Sequence, residues 1–176
     1  MKRVLKMGLL GFIIVVSLSA QHALAESIEE RMRAAANPAT NAVELMGYAQ
    51  DEDWKVREIV AKRQTTPADI LIMLASDPSW RVRSALAHNL RAPRAAIVPL
   101  VNDRSADVRF SVAHCGYTPS DLVVKLLDDP ELRVRKQAVV NLNVPIEVLK
   151  KISAGNSDMA DTATAALEKR LQDAQN

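Results

Sequence analysis

The 176-residue chain has a single cysteine and very few of the residues on which β-rich folds depend. Its five glycines are few for a fold that needs many tight turns. Aromatic residues make up only 3% of the chain, so a core must be built from Leu, Val, Ile, Ala and Met. One cysteine forms no internal disulfide and holds no zinc or iron–sulfur site by itself. These shortages exclude a disulfide scaffold and argue against a β-rich fold.

The chain also lacks a strong excess of either charge. Its formal net charge is +2, but three of the basic residues belong to the first segment: Lys2, Arg3 and Lys6. Without them, 20 basic and 21 acidic residues remain, a net charge of −1. A broad basic surface, which a nucleic-acid binder needs, is therefore not indicated, and we expect no nucleic-acid partner.

Residues 1–25 have the three parts of a secretory signal peptide. Basic residues open the segment, and an apolar run follows over residues 9–18. A small-x-small cleavage site, Ala23-Leu24-Ala25, then precedes Glu26. The apolar run is short for a membrane span of about 20 residues, so cleavage between Ala25 and Glu26 is favoured over retention as an anchor. We therefore expect a periplasmic or secreted protein with no membrane span after cleavage.

Three residue types recur every 26 residues in the rest of the chain. The first is a Val-Arg pair, at Val56-Arg57, Val82-Arg83, Val108-Arg109 and Val134-Arg135. The second is a proline, at Pro67, Pro93, Pro119 and Pro145. The third is an aspartate, at Asp51, Asp77, Asp103 and Asp129. Three independent columns in one register indicate a repeat architecture.

The repeat divides the chain into an end unit, an array and a cap. Residues 26–40 are predicted as an N-terminal half-repeat, residues 41–154 as helical repeats, and residues 155–176 as a C-terminal capping helix. The last unit departs from the pattern, because Gly155 replaces the aspartate and Ala160-Asp161 replaces Val-Arg. Atypical end units are typical of stacked arrays, whose terminal faces meet water.

Each unit is predicted to contain two short helices, as residues 65–90 illustrate. Thr65 or Thr66 can cap the first helix, and Pro67 suits its first turn, where a missing N–H costs nothing. Apolar residues then share one face at helical spacing: Leu71, Leu74 and Ala75. Asp77 is predicted to cap the second helix, whose buried stripe is Val82, Ala85, Leu86 and Asn89. One pair buries too little alone, so the units must stack into an all-α solenoid.

One sequence pattern covers about residues 27–170. It is L-A-x-D-P-x-x-x-V-R-x-x-x-A-x-N followed by T-P, seen as LASDPSWRVRSALAHN and GYTPSDLVVKLLDDP. This pattern resembles the variant leucine-rich repeat and is similar to HEAT-like repeats. The resemblance implies a right-handed superhelix of stacked helical pairs, with short or 3₁₀-like first helices, and an interaction surface without enzyme activity. Pro99 departs from the pattern inside a first helix, which it should break or kink.

Two charged columns run through the array. Arginines recur at Arg57, Arg83, Arg109 and Arg135, and an aspartate lies six residues before each of them. The arginines could form a basic stripe for phosphate or an acidic peptide. We favour a ladder between neighbouring units, which pairs the charges and caps helices. On that interpretation the two columns hold the stack together and bind no partner.

Three further features receive structural interpretations. His88 and His114 occupy equivalent positions, predicted roughly 10 Å apart from the usual spacing of packed helices, which is too far to share a metal ion. Cys115 is predicted to be a partly buried thiol without a catalytic base. Trp54 and Trp80 share a column and are predicted to pack between units, with a ligand platform as the alternative. We expect no metal, no cofactor and no catalytic site.

The outward positions of the second helices remain as a binding surface. They are Lys55, Glu58, Lys62, Arg81, Ser84, His88, Asp107, Phe110, His114, Arg133, Lys136 and Val140. The predicted protein-binding residues among them are Arg81, His88, Phe110, His114, Arg133 and Lys136. Phe110 stands where three other units have polar residues, and an exposed aromatic side chain with cationic neighbours is typical of a partner anchor.

The sequence therefore predicts an exported, non-catalytic helical-repeat scaffold that binds a protein or peptide, especially an acidic one, on this surface. The alternative is an enzyme subunit or a small-ligand binder with a site in the concave groove, where some helical-repeat proteins carry one.

Overall fold

The computed structural model describes residues 26–175, which form eleven α-helices and two 3₁₀ segments and contain no strand. In chain order the helices are α1 (Ile28–Ala36), α2 (Ala42–Tyr48), α3 (Trp54–Lys62), α4 (Ala68–Leu74), α5 (Trp80–Ala87), α6 (Arg94–Ile97), α7 (Ala106–His114), α8 (Ser120–Lys125), α9 (Leu132–Val140), α10 (Ile146–Ser153) and α11 (Ala160–Asp173). The predicted signal peptide, including Ala25 of its cleavage site, lies outside the described residues. No helix within residues 26–175 is long and apolar enough to cross a membrane.

The apolar periodicity of each unit explains which side of its helices is buried. In α5, Val82 and Leu86 are fully enclosed, and in α4, Leu71 and Leu74 lie in the same core. Burial of each such side chain contributes about 1.5–3 kcal/mol relative to exposure. Both predicted stripes of this unit are buried. The prediction of an all-helical fold is confirmed for residues 26–175, which contain helices and 3₁₀ segments and no strand.

The residues predicted to cap these two helices act elsewhere. Thr66 is buried, and its hydroxyl donates to the carbonyl of Val60 in the preceding helix at 2.7 Å. Helix α5 has Ser79 as its N-cap residue, and Asp77 accepts a hydrogen bond from the N–H of Ser79 at 2.8 Å. Both predicted caps are therefore wrong. Thr66 satisfies a carbonyl near the end of the preceding helix, and Asp77 satisfies an N–H just before α5, so neither side chain bonds to the first turn of the helix that follows it.

Pro99 ends an α-helix, as the sequence predicts. Helix α6 stops at Ile97, and a 3₁₀ segment, Val98–Asn102, completes the first helix of that unit. Proline supplies no N–H for the α-helical bond, and its ring crowds the preceding turn. The next unit shows the same change without a proline, since Leu126–Asp128 is also a 3₁₀ segment.

The second helices of the units pack on one another in chain order. Helix α1 packs on α3, α3 on α5, α5 on α7, and α7 on α9, after which α9 contacts α11. The buried side chains form one continuous cluster along this row. Equivalent positions of successive second helices therefore lie side by side.

The arginine and aspartate columns form the predicted ladder along this row. The enclosed pairs are Arg57–Asp77 at 2.7 Å, Arg83–Asp103 at 2.6 Å and Arg109–Asp129 at 2.7 Å. Each carboxylate comes from the unit that follows its arginine. Each guanidinium also donates to the backbone carbonyl of the aspartate six residues before it, as Arg83 does to Asp77. One side chain thus joins two successive units.

A second set of bonds between units lies at the C-terminal ends of the second helices, and the sequence analysis did not predict it. The side-chain amide of Asn89 donates to the carbonyls of Ala61 at 2.7 Å and Arg63 at 3.0 Å. Asn141 makes the same two bonds to its own preceding unit. Cys115 occupies the same column between them, so its interface has no amide to make these bonds.

Candidate binding face of the second helices

The second-helix face is the row of outward positions on α3, α5, α7 and α9, named in the sequence analysis. Of the six predicted binding residues, five are exposed: Arg81, His88, His114, Arg133 and Lys136. Phe110 is only half-buried and so reaches solvent in part. The structure brings five of these residues into two neighbouring groups, which meet at the groove that both Arg81 and His88 line, and leaves Lys136 outside both.

The first group is the tryptophan cradle, formed by Trp54, Trp80 and Arg81. The guanidinium carbon of Arg81 lies 4.9 Å from the ring centre of Trp54 and 4.7 Å from that of Trp80. Trp54 packs against the core, whereas the side chain of Trp80 is 39% exposed. Arg81 forms no ion pair with any residue between 26 and 175, so its charge is held by cation–π contacts alone.

An open groove of about 460 Å³ adjoins the cradle. Its walls are Trp54, Glu58, Lys62, Trp80, Arg81, Ser84, Ala85 and His88. Glu58 is paired with Lys62 at 2.9 Å, which neutralises both charges. Arg81 therefore gives the groove a net positive character.

The second group contains the two histidines, which are closer than the sequence predicts. The ring centres of His88 and His114 are 5.9 Å apart, with the ring planes tilted by 53°. The prediction of roughly 10 Å is wrong, because it used the spacing of helix axes. Both residues lie at helix C-terminal ends, where their side chains lean toward each other.

Phe110 joins the histidines and is not the fully exposed anchor that the sequence predicts. Its ring packs against the core cluster. It also stacks on His114 at 6.1 Å with an interplanar angle of 7°. The guanidinium carbon of Arg133 lies 5.6 Å from the centre of the Phe110 ring, and Arg133 pairs with Asp107 at 2.7 Å. Phe110 is therefore covered in part by its neighbours and presents only part of its ring to a partner.

The remaining predicted residues make fewer contacts. Lys136 is exposed and makes no ion pair or ring contact with the part of the chain that the structure describes. Glu26 is exposed, and its carbonyl accepts a hydrogen bond from Arg31 at 2.7 Å. Cys115 is a free cysteine at the C-terminal cap of α7 and is buried, more fully than the partial burial that the sequence predicts. For Trp54 and Trp80 the sequence favours packing between units over a ligand platform, and their contacts with Arg81 were not predicted.

No protein-family model matches the chain, and no curated protein matches it. Within residues 26–175, no group of three or more His, Cys, Asp and Glu side chains is placed to hold a metal ion. The contacts and charges of the second-helix face therefore provide the basis for its ligand.

Proposed function

We propose that this chain is an exported, non-catalytic scaffold that binds an acidic segment of another protein on the second-helix face. Its units form a right-handed α-solenoid with a 26-residue period, of the variant leucine-rich or HEAT-like kind. The ladder and the asparagine bonds support this arrangement, because each connects one unit to the next at the same positions.

The observation that carries the proposal is the state of Arg81. The guanidinium carbon of Arg81 lies over both indole rings, and no acidic side chain within residues 26–175 pairs with it, so its N–H groups are available to donate to a carboxylate. The ring contacts restrict the side chain before a partner binds, so less side-chain entropy is lost on binding. Arg81 takes no part in the ladder, although its contact with Trp54 joins two neighbouring units. An exposed cation of this kind beside an open groove is suited to an acidic ligand.

Intrinsic fluorescence offers a direct test, because both tryptophans of the chain belong to the cradle. A glutamate-rich peptide without aromatic residues is titrated against the protein, in parallel with a lysine-rich peptide of equal length. We expect only the acidic peptide to change the tryptophan emission. Binding should weaken as salt is raised, because exposed charges are screened over about 8–10 Å at ordinary ionic strength.

The matched variants are Arg81→Glu on the face and Arg91→Glu in the turn after α5, which is exposed but outside the face. Arg81→Glu should weaken acidic-peptide binding by about tenfold or more, equivalent to about 1.4 kcal/mol. Arg91→Glu should leave the affinity unchanged. Equal loss in both variants would show nonspecific charge attraction, and no binding by the wild type would rule out the acidic partner.

A small anionic ligand is the second candidate, and the volume of the groove favours it. About 460 Å³ lies within the roughly 300–1,000 Å³ typical of ligand pockets. The groove is open, however, and a small molecule would lose little surface to solvent there. Benzoate serves as the probe: binding as tight as that of the acidic peptide would favour the small-ligand function.

Export belongs to the same proposal and rests on the sequence of residues 1–25. A mature N-terminus at Glu26, found by sequencing the protein from an envelope or secreted fraction, is the expected result. An intact Met1 in washed membranes would instead favour a retained anchor.

A further inference from the structure

We infer that His88 and His114 form a two-histidine binding site for a late first-row transition-metal ion such as Zn²⁺ or Cu²⁺. The two side chains project from neighbouring second helices and are both exposed. Their ring centres are 5.9 Å apart. The inference depends on this pair alone and is independent of the proposed partner.

The separation of the rings suits one shared ion. A metal–nitrogen bond of about 2.1 Å, added to the roughly 1.1 Å from a ring nitrogen to the ring centre, places each centre about 3.2 Å from the metal. Two such rings are about 5.2 Å apart at a tetrahedral angle and about 6.4 Å apart when they are opposite each other. The observed 5.9 Å falls between these two arrangements.

The hydrogen bond of His88 leaves the correct nitrogen free. Its Nδ1 lies 3.0 Å from the backbone carbonyl oxygen of Ser84. A carbonyl can only accept, so Nδ1 carries the proton, and in the neutral ring Nε2 keeps its lone pair. Metal-bound histidines commonly hold their other ring nitrogen in this way, which fixes the tautomer and the ring orientation.

His114 is oriented by a different contact. Its ring stacks on Phe110 with an interplanar angle of only 7°, and Phe110 packs against the core. Stacking occupies one face of the imidazole, and neither ring nitrogen of His114 makes a hydrogen bond with any residue from 26 to 175. The fold itself does not need histidine at these positions, because the equivalent residues in other units are Lys62 and Val140, both exposed.

The surroundings select the class of ion. Arg81 lines the same groove as His88, and the Lys62–Glu58 pair adds no net charge there, so an ion held by charge alone is repelled. Zn²⁺ and Cu²⁺ bond strongly to imidazole nitrogen, whereas Mg²⁺ and Ca²⁺ prefer oxygen ligands. No third His, Cys, Asp or Glu completes a cluster within residues 26–175, so water fills the other coordination positions.

The test is calorimetric titration of the chain beginning at Glu26, without a histidine tag, with ZnCl₂ at pH 7.5. Of the three histidines of the sequence, His22 lies in the predicted signal peptide, so the variants are His88→Gln, His114→Gln and, as the control at the equivalent exposed position of another unit, Lys62→Gln. We expect either face variant to weaken Zn²⁺ binding by roughly tenfold or more, and the double variant to add little.

MgCl₂ should give no heat of binding under the same conditions. Melting curves of all variants should coincide, since the exposed imidazoles do not hold the stack. Binding that survives in His88→Gln or His114→Gln would overturn the inference, as would an equal loss of binding in Lys62→Gln. Absence of Zn²⁺ binding in the wild type would overturn it equally.

Discussion

Removal of the guanidinium of Arg83 tests the ladder at its most enclosed rung. The side chains of Arg83 and Asp103 are only 5% and 6% exposed. Arg83 donates to both carboxylate oxygens of Asp103, at 2.6 and 2.9 Å, and to the carbonyls of Asp77 and Pro78. Arg83→Met keeps most of the apolar stem and removes all four hydrogen bonds, so the change isolates the polar contacts.

The expected loss is about 3 kcal/mol in the free energy of unfolding. Breaking a buried ion pair typically costs 3–5 kcal/mol, because the remaining charge stays buried without its partner. Here the N–H of Ser105 still donates to Asp103, which places the estimate at about the lower end of that range. The exposed pair Arg94–Asp121 serves as the control, since its side chains are 52% and 56% exposed. Arg94→Met should change stability little.

Urea unfolding followed by circular dichroism gives the measurement for the wild type, Arg83→Met, Asp103→Asn and the double variant. We expect the double variant to be less destabilised than the sum of the single ones, since the two residues share one interaction. A loss for Arg83→Met no larger than that for Arg94→Met would refute the ladder as a source of stability.

The same rung predicts a pH dependence. Burial raises the pKa of Asp103, but hydrogen bonds from Arg83 and from the N–H of Ser105 lower it, and the net pKa lies below its ordinary value. A carboxyl whose pKa is depressed in the folded state stabilises the fold above its unfolded pKa, about 3.9. That stability is lost as the pH falls from there through the folded pKa. In Arg83→Met the acid-dependent part of the unfolding free energy should be smaller.

Two further substitutions have defined outcomes. Cys115→Asn should add amide bonds equivalent to those of Asn89 and Asn141, and so raise the free energy of unfolding by about 1 kcal/mol. Cys115→Ala adds no donor and should give no such gain. An equal gain in both variants, measured by urea unfolding, would contradict the reasoning. Phe110→Ala should lower stability by about 2 kcal/mol, because the ring packs against the core. If its melting temperature is unchanged, the ring is not a packing residue and the original expectation of a free anchor is restored.

Column positions that repeat in every unit were predictable from the sequence. The valine of each Val-Arg pair is fully buried, as Val82 and Val108 show, because helical spacing alone fixes which side faces the core. The ladder was predictable for the same reason, since two charged columns in one register must lie side by side once the units stack. The effect of Pro99 followed from its missing N–H.

Contacts that depend on the direction of a side chain were not predictable. Asp77 precedes α5 by the spacing of a cap, but its carboxylate is bound by Arg57 of the unit before and by the N–H of Ser79. The distance between His88 and His114 depends on how two side chains leave the ends of their helices, which periodicity does not encode. Arg81 was predicted as a binding residue from its outward position, but its contacts with the rings of Trp54 and Trp80 were not, because they depend on the direction of three side chains.

The hydrogen bonds and ion pairs that recur between units lie at the two ends of the second helices. Ladder arginines such as Arg83 act near the N-terminal ends, and amides such as Asn89 act at the C-terminal ends. The outward positions also contact the neighbouring unit, as Arg81 contacts Trp54 and Arg133 pairs with Asp107. The column that holds Phe110 has Glu58 and Lys136 in other units, whereas the ladder column next to it is arginine throughout. Because the stack accepts different residue types in the outward columns, the chemistry of their exposed members can be set by a ligand, whereas a change at Phe110, whose ring packs against the core, should alter stability as well.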